Sequence, residues 1–298
     1  MKLVLRFLPA LAALLFGGSM VHAQQGPGRG GNQTPPGPPP GLVKVKEDLY
    51  ILQNVNSTMG DLVAYGGNAT IYVTSAGVIL VDSKSDGEHD DLVAKLKTLT
   101  DKPVKYVILT HNHGDHTGGA AKLQAMGATL LISASDRDNM ARANLPGTPD
   151  IGYSGKAQVV LGGKEVQLRE FRGHTRGDTV VYFPVARVMC LGDLLTTADM
   201  IPMIVNYPDG GGWTDWSNSI DEILKMDFDT VIPGHGPMIT KQQLVETRKK
   251  FGMLLERVRE MNRERKTQEE ITQALIQEFN WGSGPSAGQI PGMIIELR

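Results

Sequence analysis

Residues 104–116, VKYVILTHNHGDH, decide how the rest of the chain is read. The apolar run Val104 to Leu109 has the length and composition of a buried strand. Immediately beyond it come His111, Asn112, His113, Gly114, Asp115 and His116. In extended backbone, residues two apart point the same way, so His111 and His113 can grip one cation. Asp115 and His116, past a turn at Gly114, reach toward a second.

Working outward, three more segments place a metal-ligand type at the end of an expected strand: Gly173-His174-Thr175, Gly192-Asp193 and Pro233-Gly234-His235-Gly236. The flanking glycines let the backbone turn tightly, and functional loops gather at the edges of sheets. Of seven histidines, His22 falls near the N-terminus and His89 on a helix expected to be exposed; the other five sit in these motifs. A single histidine is as often structural as functional, but this joint pattern points to a metal centre. Its nitrogen and oxygen donors suit zinc and tolerate iron or manganese. Cys190, inside an apolar strand, reads as a buried core thiol, with a soft ligand as the alternative.

Around the motifs, Leu42 to Val55, Ala69 to Thr74 and Val78 to Asp82 predict an antiparallel opening sheet. Apolar spacing predicts a helix over Glu88 to Leu99, a second over Gly118 to Met126, then a strand at Thr129 to Ser133 and a helix capped by Ser135. The second half repeats the logic. Strands are expected near Val166 to Phe171, Thr179 to Phe183, Arg187 to Leu191 and Thr230 to Ile232. Helices are expected over Thr214 to Met226, Lys241 to Arg263 and Thr267 to Phe279. Two strand-rich halves with interleaved helices imply an α/β fold of two packed sheets with helices outside.

The 298 residues carry 41% apolar and 21% charged residues and a net charge of -2, which suits one catalytic domain, expected over residues 42–298 with terminal helices from about 241. With no basic excess, nucleic acid is not an expected partner. Lys2 and Arg6, the apolar stretch Leu8 to Phe16 and Val21-His22-Ala23 read as a signal peptide over residues 1–23, so the mature protein is expected to be periplasmic or secreted, without stable membrane insertion. Residues 24–41, rich in Gly and Pro, read as a disordered linker; Gly26 to Gly31 lack the Lys-Ser/Thr of a phosphate loop.

On its His-x-His-x-Asp-His loop and the later His174, Asp193 and His235, the chain resembles the metallo-β-lactamase superfamily from about Leu42 to Ile239. The resemblance implies a four-layered αβ/βα sandwich of two mixed sheets, with helices on the outer faces and two zinc ions at one edge. It implies His111, His113 and His174 as ligands of the first metal, Asp115, His116 and His235 as ligands of the second, and Asp193 as the carboxylate bridging both. Many true zinc β-lactamases carry Cys or Ser where this chain has Asp193, and in one class the Cys is followed by a substrate-binding Lys. Here Leu194-Leu195-Thr196-Thr197 follow. A bridging Asp is typical of relatives that cleave thioesters, lactones and phosphoesters.

The expected activity is thus hydrolysis of a small ester, lactone, thioester or amide by a metal-bridging hydroxide, with Asp115 orienting the water. A true β-lactamase and an iron oxidoreductase of the sulfur dioxygenase kind are the alternatives. Two segments are candidate pocket walls: residues 54–68, as a flap or an ordinary hairpin loop, and residues 201–216, where Met203, Tyr207, Trp213 and Trp216 line substrate or join the core. Arg172 and Arg176 are either solvated or substrate-facing.

Overall fold

The computed structural model describes residues 36–55, 59–197 and 205–298. The expected leader, most of the linker, and Met203 lie outside them. The fold engages the chain from Gly37, whose N–H donates to Asp61 and whose carbonyl accepts from the Tyr65 hydroxyl.

The opening hairpin pairs β1 (Gly41–Lys46) with β2 (Leu49–Gln53). After helix α1 (Met59–Tyr65), β3 (Ala69–Thr74) and β4 (Gly77–Val81) form a second hairpin. The chain then crosses through α2 (His89–Leu99) into β5 (Val104–Ile108), and through the short helices α3 (Gly114–Thr117) and α4 (Ala120–Ala125) into β6 (Thr129–Ser133). Helix α5 (Ala134–Arg142) leads to β7 (Ile151–Tyr153). These seven strands lie in sequence order, antiparallel from β1 to β4 and parallel from β4 to β7.

The second sheet holds six strands in the order β13-β12-β11-β10-β9-β8. Its members are β8 (Lys156–Leu161), β9 (Lys164–Phe171), β10 (Asp178–Phe183), β11 (Val188–Gly192), β12 (Thr230–Pro233) and β13 (Ile239–Thr240). Only β11 and β12 pair in parallel. Helix α6 (Trp213–Leu224) links them, and α7 (Lys241–Arg263), α8 (Gln268–Phe279) and α9 (Ile290–Glu296) close the chain.

Three apolar clusters explain the layering. Leu49, Ile51, Tyr72, Val181, Phe183 and Ile232 meet between the sheets. Leu80, Val107, Leu92, Leu96, Leu123 and Met140 join the first sheet to α2, α4 and α5. Val180, Met189 and Val231 join the second sheet to Trp216, Phe251, Leu254 and Leu275 of α6 to α8. Helix, sheet, sheet, helix is the only order in which each sheet buries both faces.

Several expectations are corrected. His89 is buried, at 7% exposure, against Gly119, because it lies on the same face of α2 as the buried Leu92 and Leu96. Segment 54–68 is not a plain hairpin loop, since α1 occupies its middle. Ser133 rather than Ser135 caps α5, accepting from the Asp136 N–H. Strand β8 and helix α9 were not foreseen; β8 mixes polar and apolar residues on an edge, and α9 carries Pro and Gly. Of the two roles left open for Trp213 and Trp216 the structure shows the core one: both are fully buried, with Trp213 stacked on Phe251 at 5.7 Å.

Truncating that stack tests the third cluster. Phe251→Ala should lower unfolding free energy by about 3–5 kcal/mol, read as a reduced urea midpoint at unchanged slope. A loss below about 1 kcal/mol would show that α7 does not hold the outer layer.

Candidate metal centre

The loops leaving the C-terminal ends of β5, β9, β11 and β12 meet at one edge of the sandwich, and they carry all seven expected ligands. Three groups of side chains bring one donor atom each within 4.8 Å of the others: His111, His113 and His174; His111, His116 and Asp193; and Asp115, His116 and His235. The expected division into two sets therefore has a geometric counterpart.

The first set is tight. His174 Nε2 lies 2.9 Å from His113 Nδ1, and the His111 ring stands edge-on to both, with centroids 4.7 Å away. In the second set His235 Nε2 is 3.3 Å from His116 Nε2 and 3.2 Å from Asp115 Oδ2. Asp193 lies between the sets: Oδ1 is 3.2 Å from His116 Nε2 and 3.4 Å from His235 Nε2, while Oδ2 is 3.8 Å from His174 Nε2. His111, His116, His174, Asp193 and His235 are buried, whereas the side chains of His113 and Asp115 are 23% and 25% exposed, so the centre opens on their side.

Electrostatics follow from this crowding. Burial and the neighbouring rings of His116, His174 and His113 hold His111 well below the usual imidazole range. Burial would do the same to His116, but Asp115, Asp193 and Asp82 outweigh it and raise it well above that range. His235 is raised because Asp193 and Asp115 overcome its burial. Both carboxylates stay ionised: burial pushes Asp193 and Asp115 up, and the facing histidines more than reverse it.

Whether cations fit can be judged from the unpartnered atoms. His111 Nε2 and Asp193 Oδ1 are buried and make no hydrogen bond, despite the close approach of other ligand atoms to the latter. Buried acceptors left without a donor are what a bound cation satisfies, and the donor set is the imidazole and carboxylate chemistry that zinc accepts. The residues fit divalent metal ions.

Behind the ligands stands a set of residues that motif reading missed. Asp82, just past β4, accepts from the Thr110 N–H and hydroxyl and sits 2.8 Å from His116 Nδ1. Thr110 Oγ1 in turn lies 3.1 Å from His111 Nδ1. One carboxylate thus orients His116 directly and His111 through a hydroxyl, leaving their Nε2 atoms toward the centre. On the opposite flank Asp209 Oδ2 is 3.1 Å from His113 Nε2 and accepts from Asn112. Burial pulls His113 down, yet Asp209 and the site carboxylates raise it. A lone Asp at a strand end or in a Gly-rich loop carries no motif; only the acid after the apolar Val78 to Val81 hints at Asp82.

A strap over the second set completes the site. The fully buried Lys84 donates to Asn54 Oδ1 at 3.0 Å and to the Gly67 carbonyl at 2.7 Å. Gly67 must be glycine, since a Cβ would fall 2.3 Å from the His116 ring. Asn68 donates to the carbonyls of Pro233 and Gly236, tying this strap to the His235 turn. Burial lowers Lys84 to about 8.

Other candidates fall elsewhere. Cys190 lies between the sheets with its Sγ 3.8 Å from Thr70 Oγ1, and burial pushes it up to about 12. It is a core thiol. Arg172 pairs with Asp215, and Arg176 with Asp138 and the Ser135 carbonyl. Tyr207 bonds Glu296.

This sandwich with histidines and aspartates at its edge defines a class, and the comparisons agree. The model of the metallo-beta-lactamase superfamily matches residues 62–235, and the chain belongs to that family. Its members are mostly metal-dependent hydrolases. The chain is 28% identical over 210 residues to a metallo-beta-lactamase type 2 of Bacillus cereus, covering 69% of this chain and 80% of that protein. A hydroxyacylglutathione hydrolase of Anaeromyxobacter dehalogenans is 33% identical over 120 residues, 39% of this chain and 43% of that one. Among solved structures, a metallo-beta-lactamase from Pontibacter korlensis superposes with a TM-score of 0.63 at 23% identity, covering 70% of this chain and 97% of that one, which shows the shared fold.

Two outcomes test the supporting residues. Asp82→Ala should weaken metal affinity roughly 10- to 100-fold, measured by chelator competition; wild-type affinity would remove Asp82 from the site. For Lys84, the folded chain releases its proton near pH 8 while the unfolded chain keeps it to about 10.5. Stability therefore rises with pH across that window, and wild type should gain on the order of 3 kcal/mol relative to Lys84→Met. Urea titrations giving parallel pH profiles would contradict this.

Proposed function

We propose that this chain is an exported dinuclear metal-dependent hydrolase of a small ester, lactone, thioester or amide. The observation that carries the reading is Asp193, whose two oxygens face two different ligand sets, Oδ1 toward His116 and His235 and Oδ2 toward His174. On this reading His111, His113 and His174 hold one zinc ion, Asp115, His116 and His235 hold the other, and Asp193 serves both. Iron or manganese would meet the same donors. Bound there, the two cations supply Lewis acidity, bringing a water molecule from a pKa of about 15.7 toward about 7.

The chain's own residues do the rest. Asp115, ionised and on the open side of the site, orients the attacking water through a carboxylate oxygen and is placed to receive its proton. Asp82 lies against the outer nitrogen of His116 and Asp209 against that of His113, so their other nitrogens face inward. No serine or cysteine nucleophile is required. Export rests on the leader pattern of residues 1–23, and the net charge of -2 argues against a polyanionic substrate.

β-Lactam hydrolysis is a second reading, favoured by the likeness to the Bacillus cereus protein. Against it, the residues after Asp193 turn inward: Leu194, Leu195, Thr196 and Thr197 are all buried, so no cation is presented there for a substrate carboxylate. The two relatives named for cleaving a β-lactam and a hydroxyacylglutathione support a carbonyl electrophile in either case.

Metal quantification followed by a chromogenic panel of lactones, thioesters, esters, phosphodiesters and β-lactams tests the proposal. We expect two zinc ions per chain and turnover of an ester-like probe, with Asp115→Asn and His113→Ala each losing at least about 100-fold while remaining folded. Bound iron with oxygen consumption would replace the reading with an oxidoreductase. Full zinc occupancy with no probe turned over would overturn it.

A further inference from the structure

The segment beyond the family match, residues 236–298, contributes helices to the outer layer, but its last helix does something more local. Helix α6 begins at Trp213 after Gly212, which has no side chain to cap it. The Glu296 carboxylate at the end of α9 fills that role, accepting from Thr214 N–H at 2.7 Å through Oε1 and from Trp213 N–H at 3.0 Å through Oε2. An anion at a helix N-terminus is favourable both as acceptor and as charge.

The same Oε2 accepts from the Tyr207 hydroxyl at 3.0 Å. Burial and the adjacent carboxylate raise Tyr207, which keeps it a donor. The contact is close along the ring: a Cβ on Gly292 of α9 would lie 2.3 Å from Tyr207 Cε2. Gln289 anchors the same stretch by accepting from Val205 N–H. Tyr207 is thereby clamped by the C-terminal segment.

The loop so clamped, residues 205–212, braces two of the three first-set histidines. Asn206 N–H donates to the His174 carbonyl at 2.8 Å, and Gly212 N–H to that of Gly173 at 2.9 Å. Asp209, two residues past Tyr207, holds His113 Nε2, and Asn206 Oδ1 accepts from the Asp209 N–H. The second set is braced by other elements: Asp82, and the strap of Lys84, Gly67 and Asn68.

We propose that Glu296 is a positioning residue for the first metal site, acting through Tyr207 and the 205–212 loop on His113 and His174. This rests on the dinuclear reading above. Glu296 touches no reacting group; it fixes the loop whose carboxylate orients one ligand and whose backbone holds another. The last helix thus buttresses His113 and His174 of the first site, while Asp82 supports the second set and, through Thr110, the remaining first-set ligand His111.

Stepwise zinc affinity of the full-length apo-protein, by chelator competition well below its melting temperature, tests this in two variants. Glu296→Gln leaves three donors for one carbonyl oxygen, and Tyr207→Phe cuts the link to the loop while leaving the α6 cap intact. Both should weaken one of the two binding steps by roughly three- to tenfold, less than the 10- to 100-fold expected of a direct ligand partner, and leave the other step unchanged. Glu296→Gln should also melt earlier; Tyr207→Phe should do so less. A purely structural Glu296 would lower the melting temperature and leave both steps of Tyr207→Phe at wild-type values, which overturns the proposal, as does equal weakening of both steps. Wild-type protein that takes up no zinc would instead overturn the metal reading itself.

Discussion

Five imidazoles and two carboxylates crowded at one sheet edge, mostly shut away from water, are unfavourable on their own. Like rings press on His111, and buried lone pairs on His111 Nε2 and Asp193 Oδ1 find no hydrogen bond. Divalent cations would relieve both penalties at once, by neutralising the carboxylates and accepting the lone pairs. The remaining architecture keeps these groups in place.

Rigidity comes from the layers. Four strands from two sheets deliver the ligands, and three apolar cores fix the sheets against each other and against their helices. Outer hydrogen bonds then set the ring orientations. Asp82 serves His116 directly and His111 through Thr110, at the cost of left-handed backbone at Asp82 itself (φ 61°). Such strain persists because the Thr110 and His116 bonds and the Ser83 N–H to His116 carbonyl bond over-determine the turn.

The converging histidines and aspartates were legible as candidates because each stands in a short glycine-flanked turn after an apolar strand, a pattern that local chemistry alone singles out. The two-sheet sandwich followed from strand and helix periodicity together with the family resemblance. What escaped reading was non-local. Asp82 lies 34 residues from His116 and Asp209 lies 96 from His113, and nothing near either acid reveals its partner. Glu296 caps a helix that starts 83 residues earlier. His89 looked exposed because the polar Asp90 and Asp91 follow it, and Trp213 and Trp216 stayed open between pocket and core because aromatic residues serve both equally.

The central claim is that the seven side chains share two cations. Anomalous diffraction at the zinc edge from crystals of the zinc-loaded protein tests it most directly. The account requires two separate peaks, one within ligand distance of His111, His113 and His174 and the other within ligand distance of Asp115, His116 and His235, with Asp193 touching both. A single peak, or metal bound away from Asp193, would contradict it.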